Sequence, residues 1–229
     1  MVKSMNVINI AIDGPSGAGK STIAKRAASR FGIIYVDTGA LYRAIGVNVL
    51  RQGLDTADPA QVEETLKTVE ISLRFIGGEQ RVFLRDEDVS EAIRRHEASM
   101  AASNVSAVPA VREFLFGLQK DIARKNSCVM DGRDIGTVVL PDAQIKIFLT
   151  ASAEVRAKRR FDELRAKGSS ETYGEVLEDM IKRDYNDSNR AVAPLRQADD
   201  AVLIDTTGLT LEQSVQAVID VIEGRKYFL

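Results

Sequence analysis

Gly14-Pro15-Ser16-Gly17-Ala18-Gly19-Lys20-Ser21 has residue types and spacing suited to holding a chain of phosphates. The run matches G-x-x-x-x-G-K-[ST], in which glycines let successive backbone N–H groups converge on an anion and the helix that follows adds the positive end of its dipole. Lys20 is placed to reach the terminal phosphates. Ser21 is placed to put its hydroxyl on a Mg²⁺ that bridges them, and Thr22, which opens the helical pattern, is counted with the loop. A glycine-serine turn capping a helix would use the same residues. The apolar run Val7 to Ile12 before the loop and the helical pattern Thr22 to Phe31 after it supply the strand-loop-helix setting that the phosphate-binding reading requires.

The elements around this loop alternate. Ile33 to Val36 reads as a second strand ending in Asp37-Thr38-Gly39, followed by a helix from about Ala40 to Gln52 that stops at Gly53. Asp58 is a predicted N-cap with Pro59 at the first position of a helix running to about Val69. Ile71, Leu73 and Phe75 then alternate with polar residues, Gly77-Gly78 makes a hairpin turn, and Val82 and Leu84 alternate on the return, so an antiparallel insertion is expected outside the main sheet. Helices follow at about Glu91 to Val105 and Ala110 to Lys125. Cys128 to Met130 is the third core strand, ending in Asp131-Gly132-Arg133-Asp134, and Ile145 to Leu149 the fourth. A charged helical region from Ala153 to Ala191 is interrupted at Gly168-Ser169-Ser170. Val202 to Ile204 is a fifth strand, and an amphipathic helix from Leu211 to Ile222 closes the chain. Strands separated by helices predict an α/β fold, a five-stranded parallel sheet whose ligands collect beyond the carboxyl ends of its strands.

The composition bounds the chemistry. The 229 residues carry 31 Lys and Arg against 33 Asp and Glu, so an anion site must be a local basic cluster, and no global positive field draws the chain to nucleic acid or an anionic membrane. Cys128, the single cysteine, cannot form an internal disulfide and sits in an apolar strand, so a reducing cytoplasmic compartment and a buried thiol are expected. No signal peptide or membrane-length apolar run is read in the sequence, and the start at Met1 or Met5 leaves the loop untouched. His96 is the single histidine, which disfavours Ser-His-Asp catalysis, and its charged neighbours suggest a solvated helix face. Asn-Lys-x-Asp, which guanine-reading switches use, is absent. Asp205-Thr206-Thr207-Gly208 matches the short D-x-x-G pattern of such switches but comes too late in the chain, and is read as a turn.

Four segments in sequence carry a more specific resemblance: Gly14 to Ser21, Asp37-Thr38-Gly39-Ala40-Leu41-Tyr42-Arg43, Asp131 to Thr137, and Arg183-Asp184-x-x-Asp187-x-x-Arg190. Their order resembles that of bacterial cytidylate kinases over nearly the whole chain. Ala101-Ala102-Ser103, Val111-Arg112-Glu113 and Asn189 to Pro194 extend it. The resemblance implies phosphoryl transfer from MgATP to CMP or dCMP by a monomer, on a single domain with a core of about 1–58 and 106–229, a monophosphate-binding insert of about 59–105 and a short lid of about 156–175. Another phosphate-loop kinase, acting for example on UMP, is the nearest alternative within enzymes, and a nucleotide-binding switch is the alternative outside them.

The residues support this chemistry individually. Arg43 and Arg133 follow different strands at the ligand end of the sheet, and two planar guanidinium groups suit a monophosphate clamp, although either alone could be a surface arginine. Asp134 can accept a hydrogen bond from the 4-amino group of cytosine and would repel the oxygen that uracil presents there. By resemblance, Ser103 and Arg112 complete the base site, Asp37 and Thr38 belong to the acceptor site, and Arg183, Asp187 and Arg190 hold sugar and phosphates. The last three fall at spacings of four and three on one helix face, which an exposed ion-pair ladder would also explain. Arg156 and Arg160 precede the lid break and are assigned to the transferring phosphoryl group; a solvated basic face is the other reading of Arg159 and Arg165. Asp131 is placed to hold Mg²⁺ through water. Because the attacking oxygen belongs to an ionised phosphate, the mechanism needs no strong general base.

Overall fold

Ile10, Ala11 and Ile12 are fully buried, and that unbroken apolar run puts β1 (Asn9–Asp13) in the middle of a sheet covered on both faces. The computed structural model describes residues 7–166, 168–225 and 227. In chain order β1 is followed by α1 (Lys20–Phe31), β2 (Ile34–Asp37), α2 (Thr38–Arg51), α3 (Pro59–Leu66), β3 (Ile71–Ile76), β4 (Glu79–Leu84) and β5 (Glu87–Asp88). Then come α4 (His96–Val105), α5 (Pro109–Lys125), β6 (Cys128–Gly132), β7 (Ile145–Thr150), α6 (Ala153–Ala166), α7 (Tyr173–Asn189), β8 (Val202–Asp205) and α8 (Leu211–Gly224). The order in the five-stranded sheet is β2-β6-β1-β7-β8, and β3-β4-β5 form a separate sheet.

The chain divides into two compact units, Met1–Ile33 with Ser127–Leu229, and Ile34–Asn126. In the first, β1 runs parallel to β6 and β7, and β7 runs parallel to β8. Asp13 lies opposite Gly132, so the loops after β1 and β6 leave the sheet at the same level. α1 turns Ile23, Ala24, Ala27 and Ala28 inward at helical spacing, and Gly32 closes it in the left-handed conformation, φ 63°. Cys128 is buried as expected, and burial pushes its thiol up to about 12. The break expected at 168–170 does separate α6 from α7, and α7 begins on a reciprocal cap between Thr172 and Glu175. α7 ends at Asn189, short of the expected Ala191, because Arg190 turns extended and its Nε donates to the Ala193 carbonyl at 2.6 Å. A π-helical turn at Ile135–Val139 was not expected from the sequence.

In the second unit the Gly77-Gly78 turn pairs Ile76 with Glu79, with φ of 60° and 82° at the two glycines. Such positive values at both central positions match the right-handed twist of a two-residue hairpin. Val82 and Leu84 of β4 are buried against Ala40, Ala44 and Val47 of α2. The helix expected over Glu91 to Val105 is divided, since Arg95 is extended (ψ 155°) between a short 3₁₀ turn, Ala92–Arg94, and α4. The surroundings of the His96 side chain, like the choice between Met1 and Met5, lie outside the described residues. α2 and α4 approach closely at Gly46, where an added Cβ would stand 2.6 Å from Ala101 Cβ. Gly46→Ala is therefore expected to destabilise the unit by about 2 kcal/mol, read as a lower melting temperature.

Candidate active site

The phosphate loop is shaped by glycines that no other residue could replace cheaply. Gly14, Gly17 and Gly19 have φ of 149°, 75° and 87°. A Cβ on Gly14 would fall 1.9 Å from the Leu149 carbonyl oxygen, so β7 fixes where the loop begins. α1 starts at Lys20, earlier than the sequence pattern indicates, which puts Lys20 and Ser21 in its first turn. Lys20 is buried and its Nζ donates to the Pro15 carbonyl at 2.7 Å. Burial first, then the charge of Arg133, lowers its pKa to about 7, against the pull of Asp131, Asp187 and Asp13.

Ser21 Oγ donates to Asp131 Oδ2 at 3.0 Å, and Asp131 is buried at the end of β6. A hydroxyl and a carboxylate this close form an all-oxygen pair that fits Mg²⁺, which characteristically takes few protein ligands and keeps substrate phosphates and waters for the rest. Among the described residues no group of three or more His, Cys, Asp or Glu could hold a metal without such help.

A second cluster in the same unit alternates in charge. Arg133 Nε donates to Asp187 Oδ2 at 2.7 Å, Arg190 lies 3.7 Å from Asp187 Oδ1, and Arg190 Nη2 donates to Asp134 Oδ1 at 3.5 Å. Burial works against the charge of Asp187, but Arg133, then Arg190 and Lys20, hold its carboxyl below the usual range. Burial likewise opposes the Arg133 charge, and Asp187 together with Asp131 and Asp13 outweighs it, so the guanidinium is held above its ordinary value. The side chains of Arg190 and Asp187 are 8% and 17% exposed, so these two do not form an exposed ladder, and Asp134 beside Arg190 is buried as well. Arg183, one turn before Asp187, has its pKa lowered by burial, with Arg160 and Arg133 acting the same way.

The two expected lid arginines are held differently. Arg156 is buried, donating from Nε to the Ala151 carbonyl at 2.8 Å and from Nη1 to the Ser16 carbonyl at 3.0 Å, and it pairs with Asp184 through both terminal nitrogens. Arg160 is partly exposed and meets Glu163 at 3.3 Å. Arg159 donates to Thr206, so it is not simply part of a solvated face. Asp205 Oδ1 accepts from the Thr207 N–H and hydroxyl, the turn expected there.

In the second unit Asp37 caps α2, accepting the Ala40 N–H at 3.0 Å, and its other oxygen takes Arg43 Nη2 at 2.6 Å. Gly39 leaves room for this pair, since a Cβ there would stand 3.1 Å from Arg43 Nη1. Gln80 of the hairpin ties to the same residue through the Asp37 N–H and carbonyl. Thr38 is buried, Arg112 is buried with its guanidinium 5.5 Å from the centre of the Tyr42 ring, and Ser103 is half-buried on α4. Sequence reasoning gave no role to Asp13 or Asp184. Asp184 stood inside a quoted motif and could have been found, whereas nothing in the sequence marks Asp13.

A glycine loop on the central parallel strand, with a lysine and a hydroxyl in the first helical turn and a carboxylate on the next strand, is the frame of a phosphate-loop kinase. The comparisons narrow that class: the chain belongs to the cytidylate kinase family, whose family model matches residues 10–224. A protein named cytidylate kinase from Caldicellulosiruptor bescii is 51% identical over 216 residues, covering 94% of this chain and 96% of that one. Another of the same name, from Caldanaerobacter subterraneus, is 53% identical over 215 residues, covering 94% of each. Among solved structures, an uncharacterized protein from Eubacterium ventriosum covers 95% of this chain and 98% of its own at 16% identity, with a TM-score of 0.51, a likeness of fold alone.

Proposed function

We infer that this chain transfers the terminal phosphoryl group of ATP to CMP or dCMP. A phosphate oxygen of the acceptor forms a bond to the γ-phosphorus, the bond from that phosphorus to the β-γ bridging oxygen breaks, and ADP leaves with CDP or dCDP as the other product. The observation that supports the reading beyond the family is the largely buried chain Arg133, Asp187, Arg190, Asp134, which sets two cations and two carboxylates in alternation one strand from the phosphate loop.

The roles follow from the chemistry of each group. The loop amides from Gly14 to Thr22 and Lys20 take the donor phosphates, and Lys20, Arg160 and Arg190 stabilise charge on the transferring group. Arg133, and in the second unit Arg43 with Asp37 and Thr38, bind the acceptor phosphate. Asp134 accepts from the cytosine amino group, with Ser103 and Arg112 as further base contacts. Arg183 and Asp187 hold the sugar and its phosphate. Ser21, and Asp131 through water, would hold Mg²⁺, which when bound spreads the charge of the phosphates. Insert 59–105 and lid 156–175 close over the substrates and exclude water. Among the described residues no helix is long and apolar enough to cross a membrane. A single buried thiol supports a reducing, cytoplasmic setting, and the family resemblance supports a monomer.

ADP release from MgATP, measured with CMP, dCMP, UMP, AMP or no acceptor, tests the reading. Strong stimulation by CMP or dCMP, weak stimulation by UMP, and a CMP-over-UMP preference reduced at least about tenfold in Asp134→Ala are expected. Release that ignores every monophosphate would leave an ATP site without its acceptor.

A further inference from the structure

Asp13 ends β1 with a buried carboxylate that the transfer chemistry above does not use. Its Oδ1 accepts the Ile135 N–H at 2.8 Å and its Oδ2 accepts the Gly136 N–H at 2.7 Å. Both amides belong to the π-helical turn that begins directly after Arg133 and Asp134. A Cβ at Gly136 would stand 3.4 Å from Asp13 Oδ2 and 3.2 Å from the Lys146 side chain, so the turn is seated on the carboxylate with no space between. The start of the phosphate loop, by contrast, is fixed independently by the contact of Gly14 with the Leu149 carbonyl.

We propose that Asp13 is a positioning residue for the acceptor: its two oxygens fix the Ile135 and Gly136 amides and so hold Asp134 and Arg133 where they read cytosine and its phosphate. The inference rests on the assignment of Asp134 as base reader. Two buried N–H groups need two acceptors, and a carboxylate supplies both on one short side chain. Asparagine has the same shape but offers one acceptor and one NH₂, which leaves one amide facing a donor. Burial raises the Asp13 pKa to about 6, against the two amides and the charge of Lys20 and with that of Asp134, so the carboxylate is mostly ionised at neutral pH.

The test is Asp13→Asn, assayed for ADP release with CMP and with UMP and for KM of each substrate, with a thermal melt on the same sample. The expected result is a kcat/KM for CMP lower by at least about tenfold, a CMP-over-UMP preference reduced to match, and a KM for ATP within about twofold of wild type. Equal losses with CMP and UMP, or a KM for ATP that moves as far as that for CMP, would overturn the proposal. Should Asp13→Asn not fold, Asp13→Glu keeps both acceptor oxygens but adds a methylene between them and β1, which displaces the two amides they hold. Loss of the CMP preference then supports the role, and a retained preference overturns it. Asp134→Ala separates the layers: if it keeps the preference, the base assignment fails and this inference with it. If it loses the preference while Asp13→Asn keeps it, the base assignment stands and the Asp13 role alone fails.

Discussion

Lys20→Met is expected to lower turnover about 10³-fold and, at the same time, to raise the melting temperature. The two effects have one cause. Lys20 is buried beside Arg133, and that environment lowers its pKa from 10.5 to about 7. The unfolded chain therefore holds the proton through a pH range in which the folded chain has released it. Above pH 10.5 neither state carries the charge and the residue costs nothing. As pH falls from 10.5 to 7 the unfolded state gains stability that the folded state does not, and below 7 the full cost is present. The melting-temperature gain of Lys20→Met over wild type should accordingly be largest at pH 6 and shrink toward pH 10. Bound phosphates restore the proton, so MgATP binding at pH 8 should take up close to one proton, measured by calorimetry in buffers of different ionisation enthalpy. A variant that loses turnover without a pH-dependent stability gain would show that Lys20 is not held against its own charge.

The reach of the sequence follows from which interactions are local. The loop Gly14 to Ser21 was legible because each of its demands, positive φ and amides aimed at an anion, is met by residues next to one another. Asp58 capping α3 and the Gly77-Gly78 turn were legible for the same reason. The strands showed because burial on both faces leaves continuous apolar runs, as in Ile10 to Ile12. What did not show depends on partners far along the chain: Asp13 meets Ile135 across 122 positions and Arg156 meets Ser16 across 140. The π-helical turn at Ile135–Val139 is tied to Asp13 in this way and has no sequence pattern of its own. Short-range competition also moved boundaries, as where Arg190 left α7 to reach the Ala193 carbonyl. Within the candidate site, the motifs identified Arg133, Asp187 and Arg190, and the structure supplied the order in which their charges alternate.

Arg156 and Arg160 share the sequence motif of a basic helix ahead of a lid, and their variants are expected to diverge. Four of the five N–H directions of Arg156 are engaged, one by the Ala151 carbonyl, one by the Ser16 carbonyl and two by Asp184, and its side chain is 5% exposed. Arg156→Ala therefore leaves Asp184 without its buried partner and releases the carbonyl in the middle of the phosphate loop. Gly17 faces the Arg156 Cβ, with the position for its own Cβ 3.1 Å away, a contact that alanine keeps, so the loop is loosened through the freed Ser16 carbonyl. Breaking a partly buried pair by removing one member costs about 3 kcal/mol, and the loosened loop should raise KM for ATP while KM for CMP changes little. Arg156→Lys restores a charge but not the fork that spans two carbonyls and a carboxylate, so it should recover only part of either loss. Arg160 is bound less tightly, by Glu163 one turn away, with 35% of its side chain exposed. Its removal should leave the melting temperature unchanged and lower kcat by about 10²-fold through the lost charge at the transferring phosphoryl. A thermal melt and a KM-against-kcat comparison on the two alanine variants separates these outcomes. If Arg156→Ala lowered kcat with full stability, Arg156 would leave Asp184 during the reaction and act on the phosphates directly, as its place in the motif implies.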